Sequence, residues 1–176
     1  RSVTTTAFAA AVAFATALPA FAESPSAAWH VVDVSGLATL SSGHACHALA
    51  GDAALRGEIT LITRADGRVT LKRGGETIVL SPQTQLTVAA RSGNETRIVQ
   101  QAGLAWFKVG KRRTPHFSVE TPDLTATVRG TTFTVAVDQL GAAVHVREGA
   151  VEVATDWRDA VTLVRAGTMA SVTRAQ

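Results

Sequence analysis

Several residue types and motifs that stabilise small domains through disulfides or form active sites are scarce or absent in this chain of 176 residues. It has no tyrosine and a single cysteine, Cys46, so no disulfide can form within it and the packed core must supply its stability. It has no G-x-G-x-x-G or Walker pattern for phosphates, no G-x-S-x-G turn for a nucleophilic serine and no C-x-x-C-H site for haem. These absences predict a protein that is not an enzyme and carries no cofactor.

The chain also lacks a large excess of either positive or negative residues. The chain has 17 Lys and Arg against 14 Asp and Glu, and both signs are dispersed along it. A nucleic-acid-binding protein needs a continuous basic stripe, and the sequence shows none. Nucleic acid is therefore not a predicted partner.

Long hydrophobic runs are absent except at the start of the chain. Residues 1–22 hold one charge, Arg1, then an uncharged apolar stretch, Pro19 and the small-x-small sequence Ala20-Phe21-Ala22. This layout predicts a secretory signal peptide that is removed, leaving a periplasmic protein without a stable membrane span. An uncleaved anchor is the alternative, because the run is nearly long enough to cross a bilayer. Residues 23–28 are predicted to be a disordered spacer.

Residues 29–176 are predicted to form one all-β domain. Apolar and polar residues alternate in short segments such as FTVAV and VEVAT, and glycine or aspartate separates the segments. Two of these strands are predicted at Thr96–Gln100 and Leu104–Val109, and only Ala45–Ala54 has any helical character. Many short antiparallel strands at regular spacing indicate an elongated β-sandwich or a β-solenoid-like domain. The alternation places the following residues in its core: Leu71, Phe133, Val135, Val144, Val146, Val151 and Val153.

One cluster of residues has the chemistry of a metal site. His44, Cys46 and His47 offer two imidazoles and a thiol within four positions, which are ligands that Zn or Cu accepts. No fourth ligand lies nearby in the sequence, so we expect a loop or strand edge with incidental histidines, and these three residues are only weak metal candidates.

Two features suggest contact surfaces. Lys111, Arg112 and Arg113 form the densest basic run, in a segment that we expect to be a solvated hairpin loop or else a contact for an acidic partner or anionic lipid. Trp157 lies in a polar loop and is the tryptophan that we expect to be most exposed. Of the neighbours Trp106 and Phe107, we expect one ring to lie in the core.

The segment from Pro115 to Val153 contains three motifs: a Pro-x-Phe-x-Val stretch, a Val-x-Gly-Thr-x-Phe core in which glycine interrupts a strand pattern, and a Val-x-x-Gly-x-Val-x-Val turn. With these motifs in this order, the segment resembles the FecR-domain family of bacterial envelope proteins. The resemblance continues upstream to about Ser35 and downstream to about Val172. The motif residues are Pro115, Phe117, Gly130, Thr131, Phe133 and Gly149.

This resemblance implies an all-β module without catalytic residues. Members of the family relay the occupancy of a TonB-dependent receptor in the outer membrane to a membrane regulator of a sigma factor, in iron uptake for example. The sequence shows neither a cytoplasmic segment before the apolar run nor a second small subdomain, which favours a free-standing adaptor or regulator that binds an envelope protein. The alternative is a domain that binds peptidoglycan or another envelope polysaccharide through Trp157 and the basic loop.

Overall fold

The computed structural model describes residues 28–90, 95–155 and 160–174, and these residues contain sixteen β-strands. In chain order the strands are β1 Trp29–Ser35, β2 Ala38–Ser42, β3 Ala45–Ala48, β4 Ala54–Leu55, β5 Ile59–Thr63, β6 Arg68–Arg73, β7 Glu76–Leu80, β8 Gln85–Ala90, β9 Thr96–Lys108, β10 Phe117–Glu120, β11 Thr125–Val128, β12 Thr132–Val137, β13 Gly141–Glu148, β14 Ala150–Thr155, β15 Ala160–Arg165 and β16 Met169–Thr173. No helix able to cross a membrane occurs within these three ranges.

The strands form two layers that share β9. The first layer has the order β4-β1-β6-β7-β9-β12-β13-β16, and the second has the order β3-β2-β5-β8-β9-β10-β11-β14-β15. In the first layer β7 and β12 pair with the C-terminal half of β9, and in the second β8 and β10 pair with its N-terminal half. The buried faces of both layers form one core, which is the β-sandwich that the alternation predicts.

β9 passes from one layer to the other at Gly103. This residue has φ +91°, and a Cβ on it would lie 2.3 Å from Oγ1 of Thr84, so only glycine fits. The N–H of Leu104 donates to the same oxygen at 3.0 Å. The side-chain amide of the buried Gln100 donates to the carbonyl oxygens of Gly103 and Val135, at 3.0 and 3.1 Å. These bonds fix the place at which the strand turns.

Three phenylalanines lie at the centre of the core, where the layers meet. Phe107 of β9 stacks on Phe133 of β12, with ring centroids 5.1 Å apart. Phe117 of β10 meets Phe107 edge to face at 6.0 Å, which joins the second layer to the first. All three side chains are buried. Phe107 is therefore the core ring of the Trp106–Phe107 pair, and Trp106 faces outward and is half-buried.

The inward and outward positions predicted from the alternation are confirmed. The seven predicted core residues are all buried: Leu71, Phe133, Val135, Val144, Val146, Val151 and Val153. Lys72, Arg147 and Glu152, which alternate with them, are exposed.

The structure adds three local details that the alternation does not show. The strands expected at Thr96–Gln100 and Leu104–Val109 are one strand, because hydrogen bonding continues through the bend at Gly103. The segment Ala45–Ala54 contains β3 rather than a helix, since residues 45–48 pair with β2. β10 runs parallel to β9, in register from Phe117 opposite Thr96, so this pair departs from the antiparallel pattern.

Replacing Phe133 by alanine should lower the free energy of unfolding by about 3–5 kcal/mol, because it removes a fully buried ring from the aromatic centre of the core. Urea unfolding followed by circular dichroism measures this loss. Val161→Ala is the control, since Val161 is 62% exposed and its truncation should cost about 0.5 kcal/mol or less. A loss below about 1 kcal/mol for Phe133→Ala would contradict the packing described above.

Candidate interaction surface

The weak metal candidates lie on the β2–β3 hairpin. Gly43, at φ +60°, and His44 form its two-residue turn, and Cys46 and His47 follow on the edge strand β3. Neighbouring residues of a strand point to opposite faces, so Cys46 and His47 cannot bind one ion together. Among the described residues no three His, Cys, Asp or Glu side chains are grouped to hold a metal. The Cys46 thiol is free and exposed.

The motif residues surround the junction between the layers. Phe117 and Phe133 belong to the aromatic centre of the core. The Thr131 hydroxyl donates to the carbonyl of Ala150 at 2.8 Å, and its own carbonyl accepts from Val109 N–H at 3.0 Å. These residues therefore shape the fold rather than a ligand site.

Two glycines of the motif are needed because of close backbone approaches. A Cβ on Gly130 would lie 2.5 Å from Cα of Lys111, and one on Gly149, which has φ +84°, would lie 2.8 Å from the Gly130 carbonyl oxygen. The loop after β9 and the turn after β13 thus pack against the same short segment. Pro115, the remaining motif residue, is exposed just before β10.

The basic run lies in a crossover, which corrects the expected hairpin. The segment from Val109 to His116 returns the chain from the end of β9 to a position beside its start, because β9 and β10 are parallel. Lys111 is highly exposed and lies 3.9 Å from the Glu148 carboxylate. The N–H of Arg112 donates to the Arg129 carbonyl at 2.7 Å, and the Arg113 side chain is exposed.

The tryptophans do not form one surface in the described part of the chain. Trp29 is buried, Trp106 is half-buried on the outer face of the first layer, and Trp157 lies outside the described residues. The proposed contact role of Trp157 stays a prediction.

A buried polar cluster joins the layers beside the crossover. The Arg73 guanidinium donates to the Glu76 carboxylate at 3.0 Å and to the Thr96 hydroxyl, and it lies 4.5 Å from the ring centre of Trp29. Nε2 of the buried His116 lies 3.3 Å from Oε1 of Glu76. Arg73 and Glu76 belong to the first layer, whereas Thr96 and His116 belong to the second, so the cluster ties the crossover to the sandwich. Sequence reasoning missed this cluster.

An ion pair also joins the layers at the end of the described chain. Arg174, after β16, donates two hydrogen bonds to the buried carboxylate of Asp123, at 2.6 and 2.8 Å. The hydrogen bond to Asp123 raises the pKa of the Arg174 guanidinium. This pair ties the end of the first layer to the loop between β10 and β11.

The edge strand β15 is the longest of the outermost strands that the structure describes. Its six residues pair on one side with β14, and no described strand pairs with the other side, which we call the β15 edge. Val161 and Leu163 face outward and are 62% and 52% exposed. Sheets commonly protect such edges with proline, charged side chains or bulges. β15 has no proline and no bulge, and its one charged residue, Arg165, is at its end.

A groove opens between the layers next to this edge. It has a volume of about 350 Å³ and contains no charged side chain. The hydroxyl of Thr155 in its wall is buried and has no hydrogen-bond partner among the described residues. Its lining residues are Val153, Thr155, Ala160, Thr162, Ala170, Ser171, Val172 and Thr173.

Comparison with known proteins identifies relatives of this fold. A family model described as "FecR protein" matches residues 59–152, more than half of the chain. Two crystal structures of a proposed anti-sigma factor from Parabacteroides distasonis each give a TM-score of 0.56, at 21% and 20% identity. The match covers 66% and 67% of this chain but 54% and 55% of theirs, so this chain spans about half their length. At this identity the likeness shows the fold. No curated protein matches the chain.

Replacing Gly130 by valine should destabilise the fold by about 1–3 kcal/mol, because the new Cβ meets the backbone of Lys111. Thermal and urea unfolding measure the change. Gly110→Val is the matched control in the same crossover, since a Cβ on Gly110 has no neighbour within 4 Å. Equal stability of the two variants would remove the packing role of Gly130.

Replacing Glu76 by glutamine should destabilise the fold by about 3 kcal/mol, because it leaves the Arg73 charge buried without its carboxylate. Glu120→Gln is the control. It breaks an ion pair with Arg97 in which both side chains are partly exposed, so its cost should stay below about 1 kcal/mol. Similar losses in both variants, measured by urea unfolding, would show that burial does not set the strength of the Arg73–Glu76 pair.

Proposed function

This chain belongs to the FecR protein family, and from that premise we propose that it is a non-catalytic signalling module of the cell envelope that acts by binding a protein partner. The partner class is an envelope protein such as a TonB-dependent receptor or a membrane regulator. The family resemblance of the sequence supports this class, and so does the shared fold of a protein named as a proposed anti-sigma factor.

The observation that carries the proposal is the β15 edge. Backbone N–H and C=O groups of alternate β15 residues point away from β14 on this side, and exposed apolar side chains flank them. The Arg165 carbonyl at the end of the strand accepts from Thr168. An extended segment of a partner can pair with such an edge, with the backbone giving affinity and side-chain pockets giving specificity. The other outermost strands are shorter: β3 has four residues, β4 has two and β16 has five.

The groove supplies the side-chain pocket that this mode of binding requires. It lies between β15 and β16, so inward-facing side chains of a strand added to β15 would enter it. Its walls carry methyl and hydroxyl groups and no charge, which favours small apolar or hydroxylated side chains. A hydroxyl or amide of the partner would also satisfy the buried Thr155 hydroxyl.

Binding of an envelope polysaccharide is the weaker alternative. Such sites use exposed aromatic rings beside polar groups, and here the described aromatic side chains are buried except for the half-buried Trp106. Trp106 also lies in the first layer, away from the β15 edge.

The predicted periplasmic location rests on the apolar start of the chain, and the intact mass of the native protein tests it. A mature protein that begins at Glu23 is the expected result.

A photo-reactive residue at Val161 should crosslink to one discrete envelope protein in living cells. The same residue at Leu37 is the control, because Leu37 is 67% exposed but lies in the loop between β1 and β2. Adding Leu163→Lys should abolish the Val161 adduct without changing the fold, since an edge lysine blocks strand addition. Equal crosslinking at both positions, or an adduct that survives Leu163→Lys, would contradict the proposal. Retention on purified peptidoglycan that is unaffected by Leu163→Lys would support the polysaccharide alternative.

A further inference from the structure

The outer face of the first layer carries a second surface, centred on Trp106. Strand register places Trp106 between Val79 of β7 and Thr134 of β12. Leu104, two residues earlier on the same face, lies beside Ala136 and is 43% exposed. Small side chains around the indole leave a flat apolar centre, which we call the Trp106 patch: Val79, Leu104, Trp106, Ala136 and Ala143.

The rim of this patch is basic. Lys72 of β6 and Lys108 of β9 flank Thr77 in the neighbouring row of outward residues. Arg68 and Arg147 lie on the same face, at outward positions of β6 and β13. All four side chains are exposed, and none forms an ion pair with another described residue.

Acidic residues also lie on this side in the described part of the chain. Asp33 is on β1, and Glu148 is at the end of β13, 3.9 Å from Lys111. Asp138 follows β12, is exposed and borders Ala136 and Ala143 of the patch. The outer face of the second layer is different, because Arg97 there pairs with Glu120 and Glu152 is exposed. None of these carboxylates forms an ion pair with Lys72, Lys108, Arg68 or Arg147, so the rim of the patch presents exposed cations that a partner can pair with.

We propose that the outer face of the first layer docks an acidic protein surface with an apolar centre, and that Trp106 is the central contact. An apolar centre with a charged rim is the usual anatomy of a protein interface, and tryptophan is enriched among the residues that dominate its energy. The partner's carboxylates would face Lys72, Lys108, Arg68 and Arg147. Charge complementarity of this kind sets orientation and association rate.

The exposed aliphatic area favours a protein over a polyanion. Leu104 presents a side chain that can neither accept nor donate a hydrogen bond, and Met169, which is 64% exposed beside His145, presents a mostly apolar one whose sulfur is only a weak acceptor. A sulfated or carboxylated polysaccharide would leave this area unmatched, whereas an apolar protein surface would cover it. This inference rests on the module acting through protein partners, but it does not depend on the β15 edge.

The test places a photo-reactive residue at Thr134, at the centre of the face, and measures crosslinking in the native envelope. The same residue at Thr87, on the outer face of the second layer, is the comparison. We expect a discrete protein adduct at Thr134 and none at Thr87. The crosslinked protein should have an acidic surface. Lys108→Glu should reduce the adduct about tenfold. Arg64→Glu, in the turn after β5, changes the net charge equally and should leave the adduct intact. Trp106→Ala should also remove the adduct, whereas about 1 M salt should weaken it, because the Debye length then falls to about 3 Å.

The same experiment separates this inference from the proposed function. Loss of the Thr134 adduct with a retained Val161 adduct would overturn only the docking face. Absence of both adducts would overturn both proposals. A Thr134 adduct that Lys108→Glu and Trp106→Ala leave unchanged, or one with a polysaccharide instead of a protein, would overturn the acidic protein partner. Circular dichroism of each variant confirms that it is folded.

Discussion

The fold depends on one strand that belongs to both layers. β9 pairs with β8 and β10 through its first half and with β7 and β12 through its second half. Such a strand must turn without losing its hydrogen bonds, and that requirement fixes three residues. Gly103 takes a positive φ. The Thr84 hydroxyl accepts from the Leu104 N–H and lies within donating distance of the Leu104 carbonyl, and the Gln100 side-chain amide donates to the Gly103 carbonyl. The layers are therefore joined by covalent chain as well as by packing.

The shared strand also explains where the family motif lies. A strand that ends in the first layer must send the chain back before β10 can pair in the second, and the crossover from Val109 to His116 does this. Gly130 allows the crossover to pack closely, Thr131 bonds both neighbouring segments, and Phe133 stacks against β9 beneath it. The motif residues therefore hold the connection between the two layers.

Alternation along the chain predicted the all-β class and the core positions, because both follow from local side-chain periodicity. It did not predict the parallel β9–β10 pair or the continuous β9, since pairing partners are distant in sequence. The buried cluster left a signal that could have been used. Arg73 follows Val69 and Leu71 at every second position of β6, and Glu76 precedes Ile78 in the same way on β7. Side chains at these positions point into the core, so two opposite charges lie at inward positions of adjacent strands. Reading them as a pair requires the β6–β7 hairpin register, in which Arg73 lies opposite Glu76.

The two proposed surfaces follow from the same architecture. A closed barrel would leave no strand edge, but the layers joined through β9 leave outermost strands, and β15 is the longest of those described. Among the described residues the first layer is covered on its inner side, and its outer side carries charged side chains around the half-buried Trp106. An edge recognises an extended segment through backbone bonds, whereas a face recognises a folded surface through side chains. Because these two modes use different atoms on different sides of the sandwich, the two proposed surfaces do not compete for the same partner.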